Sequence, residues 1–224
     1  MEGSAGLIAQ NLRNQLPKGV ELVAVSKFHP AEAILDCYQH GQRVFGESLV
    51  NELIEKVNIL PTDIKWHFIG HLQTNKVKNL IGKVDLIESV DSQRLIDLID
   101  ELSQRKGVIT RILMQVHVAD EETKFGWTPD ELLAYFAERR FEALKATHIC
   151  GIMGMATNTE DEERIERDFA QIAQLRQEIL RIAPDLRGFD IVSMGMSDDY
   201  PIALRHGATH IRVGSKIFGE RAYN

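Results

Sequence analysis

Short apolar runs rich in β-branched residues alternate with longer amphipathic stretches along almost the whole chain, and this alternation restricts the fold more than any other feature of the sequence. The strand-like runs cover residues 20–27, 43–47, 65–70, 84–90, 110–118, 147–155, 189–194 and 210–213. Helical patterns cover 30–40, 49–58, 72–81, 93–106, 129–140, 160–182 and 198–206, and one more helix, 5–16, precedes the first strand. Local chemistry marks several boundaries. Pro30 suits a first helical turn and Gly41 a helix stop. Thr128 with Glu131 makes a capping box. Asp91 or Ser92 is expected to cap the helix at Gln93, and Asp198 the helix after the seventh strand. Strands separated by helices imply right-handed crossovers and a parallel sheet. Eight such units predict an α/β fold closed into a (β/α)8 barrel, with helix 5–16 standing where the helix after the eighth strand would lie. An open doubly wound sheet is the other architecture, but it predicts a glycine-rich turn after the first strand. Ser26-Lys27-Phe28-His29-Pro30 contains no glycine. No linker rich in Gly, Pro or Ser divides the 224 residues, which are 44% hydrophobic, so 1–224 reads as a single domain with one core.

The net charge of −7, with no basic stripe to offset it, argues against a nucleic-acid partner. The most charge-rich stretch, 160–167, mixes both signs and reads as a solvated helix face. Cys37 and Cys150 belong to no CxxC pair, so neither a disulfide framework nor a metal site is expected, and both read as buried thiols of a reducing compartment. Residues 1–10 lack the pattern of a signal peptide, and no apolar run approaches the roughly 20 residues that span a bilayer. The expectation is a soluble, cytoplasmic protein without membrane contact.

A parallel barrel gathers function at the C-terminal ends of its strands. There the chain places Lys27, Glu47-Ser48, Gly70-His71, Asp91, the segment 121–126, Met153-Gly154-Met155, Ser193-Met194-Gly195-Met196-Ser197 and Gly214-Ser215. The loops after strands seven and eight are the usual phosphate site of such barrels. Both couple glycine, which lets backbone N–H groups approach an anion, to serine hydroxyls. Lys27 ends an apolar run that enters the core, where partial desolvation frees an amine for a carbonyl. A phosphate cup facing a carbonyl-reactive amine meets the demand of pyridoxal 5′-phosphate (PLP). It equally meets that of a Schiff-base aldolase acting on a sugar phosphate, and the chemistry leaves both open.

The motifs Val23-Ala-Val-Ser-Lys27, Val44-Phe-Gly-Glu47, Trp66-His-Phe-Ile-Gly70 with His71-Leu-Gln73, Gly151-Ile-Met-Gly-Met155, Ser193-Met-Gly-Met-Ser197-Asp198, and Arg212-Val-Gly214 with Ile217-Phe-Gly219 stand in order from about residue 19 to 219. With them the chain resembles the PLP-binding homeostasis protein family, whose barrel is like the N-terminal domain of alanine racemase. The resemblance implies that Lys27 holds PLP as a Schiff base. It implies that Ser193, Gly214 and Ser215 hold the phosphate with the backbone around Met194, that Arg212 faces the ring nitrogen, and that His71 and Met153 line the pocket. Ser48 stands where the family usually has asparagine near the cofactor, and His117 where it often has another asparagine. The family is regarded as keeping PLP available within the cell, which implies a carrier whose partners are PLP and PLP-dependent apo-enzymes. A weak amino-acid racemase is the alternative. Racemisation takes a base on each face of the substrate, and Tyr38, Tyr135, Tyr200 and Tyr223 all fall in helices or the tail. A monomer is expected.

Overall fold

Strands buried on both faces and helical crossovers between them close the chain on itself. In the computed structural model, which describes residues 3–119 and 125–219, eight parallel strands form a closed barrel in sequential order. They are β1 (Glu21–Val25), β2 (Val44–Glu47), β3 (Lys65–Phe68), β4 (Leu86–Val90), β5 (Thr110–Gln115), β6 (Thr147–Met153), β7 (Ile191–Ser193) and β8 (His210–Val213). The helices are α1 (Ala5–Gln15), α2 (Ala31–Gln39), α3 (Val50–Ile59), α4 (Val77–Leu80), α5 (Gln93–Lys106), α6 (Pro129–Ala137), α7 (Glu162–Ile182), α8 (Tyr200–Arg205) and α9 (Ser215–Phe218). The expected barrel is therefore borne out. Its closing seam is β1 against β8, with Ala24 opposite Val213, while Ala24 also faces Phe45 on β2. The N-terminal helix α1 packs on α2 and α9, across that seam.

Two apolar layers result. The larger lies between the barrel wall and the helices and holds Phe45, Phe68, Phe136, Phe169 and Phe189 among its fully buried side chains. The smaller, inside the barrel, is Leu86, Leu113, Cys150, Met153 and Ile191. The interior also carries buried His67, Glu88, Ser193 and Arg212. Gly151 bends β6 where its register with β5 shifts: its φ is +154°, and a Cβ there would lie 1.8 Å from the Ile191 carbonyl oxygen. Cys37 and Cys150 are free and buried, and burial pushes the Cys37 thiol up to about 12. No described helix is long and apolar enough to cross a membrane.

Several expected boundaries shift. The stretch 72–81 is a 3-10 turn, Thr74–Lys76, followed by the single turn α4. Thr74 and Asn75 favour local hydrogen bonds over a helix interior, and Gln73 provides no side-chain cap. Asp198 does not cap α8. Asp199 occupies that position, and its Oδ1 accepts instead from the Met196 N–H at 2.5 Å. Ser92 sits at the start of α5 without a side-chain cap. The Thr128–Glu131 capping box forms as expected.

Candidate functional site

The barrel mouth at the seam is built first by β1. Val23 and Val25 point inward, since a Cβ on Gly46 would meet their side chains at 3.0 and 3.6 Å. Lys27 continues that parity two residues past the strand and is half-buried at the mouth. The turn that carries it is fixed from both sides. Ser26 N–H donates to the Gly46 carbonyl at 3.0 Å, and Ser26 Oγ donates to Glu47 Oε1 at 2.6 Å. Phe28 has φ 67°, a left-handed conformation rare outside glycine, and its N–H donates to Glu52 Oε1 at 2.7 Å. Lys56 Nζ lies beneath, donating to the Ser26 carbonyl at 2.8 Å and to Glu47 and Glu52 at 2.7 Å each. Burial pushes the Glu47 carboxyl up, opposed by Lys56 and Ser26. Sequence reasoning missed Lys56, yet there was a signal: it falls on the apolar stripe of Val50, Leu53 and Leu60.

The strands on the other side of the seam divide the expected phosphate residues. Gly214 follows Val213, so it abuts the end of β1; a Cβ on it would sit 3.2 Å from the Val25 carbonyl oxygen. Its N–H points to Ser197 Oγ at 3.3 Å, and Ser215, exposed, follows at the start of α9. Gly195 turns the β7 loop at φ +90°, where a Cβ would meet Ala203 at 2.6 Å. Ser193 and Met194 correct the expectation. Ser193 is fully buried in the barrel, where its hydroxyl donates to Glu88 Oε2 at 2.5 Å and accepts from Arg212 at 2.6 Å. Met194 is a core side chain whose N–H donates to the His210 carbonyl at 3.1 Å. Strand alternation turns both away from the loop, leaving Ser197 as the hydroxyl beside Gly214.

Below the mouth runs a chain of buried polar groups. The second guanidinium nitrogen of Arg212 donates to the Gly154 carbonyl at 3.0 Å. Glu88 Oε1 pairs with His67 Nδ1 at 2.7 Å, and Arg212 stands 3.8 Å from Glu88 Oε2. Burial alone would raise the Glu88 carboxyl, but His67, Arg212 and Ser193 hold it down at about 2. Burial alone would lower the His67 imidazole, yet the hydrogen bonds it donates to the Asp85 and Glu88 carboxylates carry it upward. His210 stacks on His67 with ring centroids 5.9 Å apart, and burial pushes it down to about 4. Arg212 is thus a buried cation locked toward the barrel axis, not an outward salt bridge.

The rim completes the site. Half-buried Ser48 and exposed His71 line a groove beside β2 and β3. His71 Nδ1 pairs with Asp91 at 3.3 Å, and its ring lies against Phe125, tilted by 34°, with ring centroids 4.0 Å apart. A cavity of about 330 Å³ opens among Gln115, His117, Phe125, Met155 and Met196. His117 Nε2 has no partner among the described residues. Met153 lies deeper, in the interior apolar cluster, while Met155, with Met196, reaches this cavity. Residues 121–124 of the segment expected after the fifth strand, and Tyr223, lie outside the described residues. Tyr38 donates to Asp63, Tyr135 is buried in the core, and the Tyr200 ring lies under Lys216. No group of residues suited to hold a metal ion occurs among the described residues. An amine just past β1, a buried guanidinium on β8 and a glycine-serine cup at the adjacent strand ends together suit a ligand with a carbonyl, a ring and a phosphate.

Comparison with known proteins identifies relatives of the chain and of its fold. The model of the alanine racemase N-terminal domain matches residues 9–222. The pyridoxal phosphate homeostasis protein of Aquifex aeolicus is 39% identical over 208 residues, covering 91% of this chain and 88% of that one. The protein of the same name from Homo sapiens is 38% identical, covering 91% of this chain and 77% of that one. The solved structure of PipY from Synechococcus elongatus with PLP bound superposes with a TM-score of 0.88 at 38% identity, covering 96% of this chain and all (100%) of that one. An alanine racemase from E. faecalis, at 19% identity and a TM-score of 0.74, shares the fold.

Proposed function

The chain belongs to the alanine racemase N-terminal-domain family and, within it, to the pyridoxal phosphate homeostasis proteins, and from that membership we propose that it binds PLP and serves PLP and amino-acid homeostasis. The observation that carries the reading is the juxtaposition at the seam of the Lys27 turn and the Gly214 cup. When bound, PLP supplies an aldehyde that an amine takes up reversibly and a ring that withdraws electrons when its nitrogen is protonated. Lys27 is the amine that takes up the aldehyde. Ser197, Gly214 and Ser215 hold the phosphate. Arg212 faces the ring nitrogen, and because a guanidinium only donates hydrogen bonds, it leaves that nitrogen unprotonated. That arrangement retains the ligand while blunting carbanion chemistry, which fits a carrier better than a catalyst. Ser48, His71 and Met155 line the approach, with Met153 beneath.

The reading extends to a cytoplasmic monomer that passes PLP to apo-enzymes. The unpaired thiols of Cys37 and Cys150 support a reducing compartment. Racemisation is not favoured, because the relatives at 38% and 39% identity are homeostasis proteins, whereas the solved alanine racemase, at 19% identity, shares only the fold. A spectrum of the purified protein with added PLP, followed by borohydride reduction and peptide mapping, tests the proposal. The protein is expected to turn yellow and to carry the reduced adduct on Lys27. Lys27→Ala should lose the covalent band and keep weaker, phosphate-directed binding. A colourless protein, or an adduct on another lysine, overturns the assignment.

A further inference from the structure

A lysine with only 6% of its surface exposed needs a reason to be buried, and Lys56 has one that concerns Lys27. The three N–H donors of its ammonium are matched by three acceptors: the Ser26 carbonyl, Glu47 Oε1 and Glu52 Oε1. Each of those carboxylate oxygens holds a second bond to the turn. Glu47 Oε1 accepts from the Ser26 hydroxyl, and Glu52 Oε1 accepts from the Phe28 N–H. One ion cluster therefore grips the peptide immediately before and immediately after Lys27, from β2 and α3. It also holds Phe28 in a left-handed conformation, at φ 67°, that is strained for a non-glycine residue and persists only where the surroundings impose it.

We propose that Lys56, with Glu47 and Glu52, is a positioning cluster that aims the Lys27 amine into the barrel mouth for capture of a carbonyl. The cluster touches no ligand; it acts through the backbone of the Ser26–Phe28 turn. A neutral apolar replacement of Lys56 leaves two carboxylates without their common partner and frees that turn. Carbonyl capture then loses its alignment while the cup at Gly214 and Ser197, which follows β7 and β8 on the other side of the seam, is untouched. The inference rests on the reading of Lys27 as the capturing amine.

Two ligands separate positioning from general structural damage. PLP needs both cup and amine; pyridoxine 5′-phosphate has an alcohol in place of the aldehyde and needs only the cup. In the full chain, Lys56→Met is expected to slow covalent PLP uptake, followed by absorbance, at least about tenfold, while the calorimetric affinity for pyridoxine 5′-phosphate stays within about twofold. Lys56→Arg should recover part of the rate. In the ligand-free protein, the pH profile of Lys27 acylation, read by peptide mass spectrometry, should shift in Lys56→Met. Should Lys56→Met fail to fold, Glu52→Ala at a side chain 20% exposed removes the Phe28 grip instead. It should slow uptake with the same selectivity, and adding Phe28→Gly, which adopts positive φ freely, should change the size of that effect. Equal loss for both ligands, or unchanged uptake, overturns the proposal. Absence of covalent uptake in the unmutated protein would instead overturn the reading of Lys27 itself.

Discussion

At the scale of single residues, the sharpest contrast is between two serines four positions apart. Ser193 and Ser197 stand in one motif, and the sequence gives no reason to separate them. The structure does: Ser193 Oγ bridges Glu88 and Arg212 inside the barrel, and Ser197 Oγ stands at the Gly214 N–H. Ser197→Ala is therefore expected to weaken binding of inorganic phosphate and of PLP by about 1.5–3 kcal/mol, the worth of a hydrogen bond to a charged group. Ser193→Ala should leave phosphate affinity nearly unchanged. Titration calorimetry of both variants decides, and the reverse order would return the phosphate to Ser193. Lys27 was legible because a charged residue ending an apolar run is conspicuous, whereas Arg212, inside the β8 pattern, was reached only through the family resemblance. Glu88 and His67 were not, because a polar residue inside a strand pattern reads as solvent-facing until the barrel closes around it.

At the scale of elements, the eight strands and most helices could be read from periodicity, because each buries one face against a neighbouring layer. The exception was 72–81, where a few apolar residues mimic a helix that Thr74 and Asn75 do not support. The short α9 could not be seen, since four residues carry no period. The bulge in β6 was also invisible, because it depends on how β6 meets β5 and β7. There Gly151 has backbone, not side chain, where its Cβ would go. Gly151→Ala should cost at least about 2 kcal/mol of stability, measured by urea denaturation, because Ile191 cannot yield without breaking β7 from β6. A variant as stable as the parent would show that the strand pair can slide.

At the scale of the whole molecule, the two stacked histidines set opposite acid-base limits on stability. Burial lowers His210 from 6.5 to about 4, so between those values the unfolded chain binds a proton that the folded one refuses, and stability falls as pH drops through that window. His67 is raised above 6.5, so its contribution is complete below that value and fades as pH rises through the raised pKa. These two groups place the stability maximum near the ordinary histidine range. Melting temperature against pH should trace a dome, and His210→Gln should flatten its limb between pH 6.5 and 4 while sparing the alkaline side. An acid limb unchanged in that variant would assign it to the carboxylates instead.

The closing seam has a consequence in time as well as in space. β1 is the first strand to leave the ribosome and β8 the last, yet only their pairing brings the Lys27 turn against Gly214. On the proposed reading of Lys27 as the capturing amine, a nascent chain would carry that amine for most of its synthesis without the cup that would direct a ligand to it. Ligand capture would then be coupled to the completion of the barrel, and the ligand would become a reporter of finished molecules.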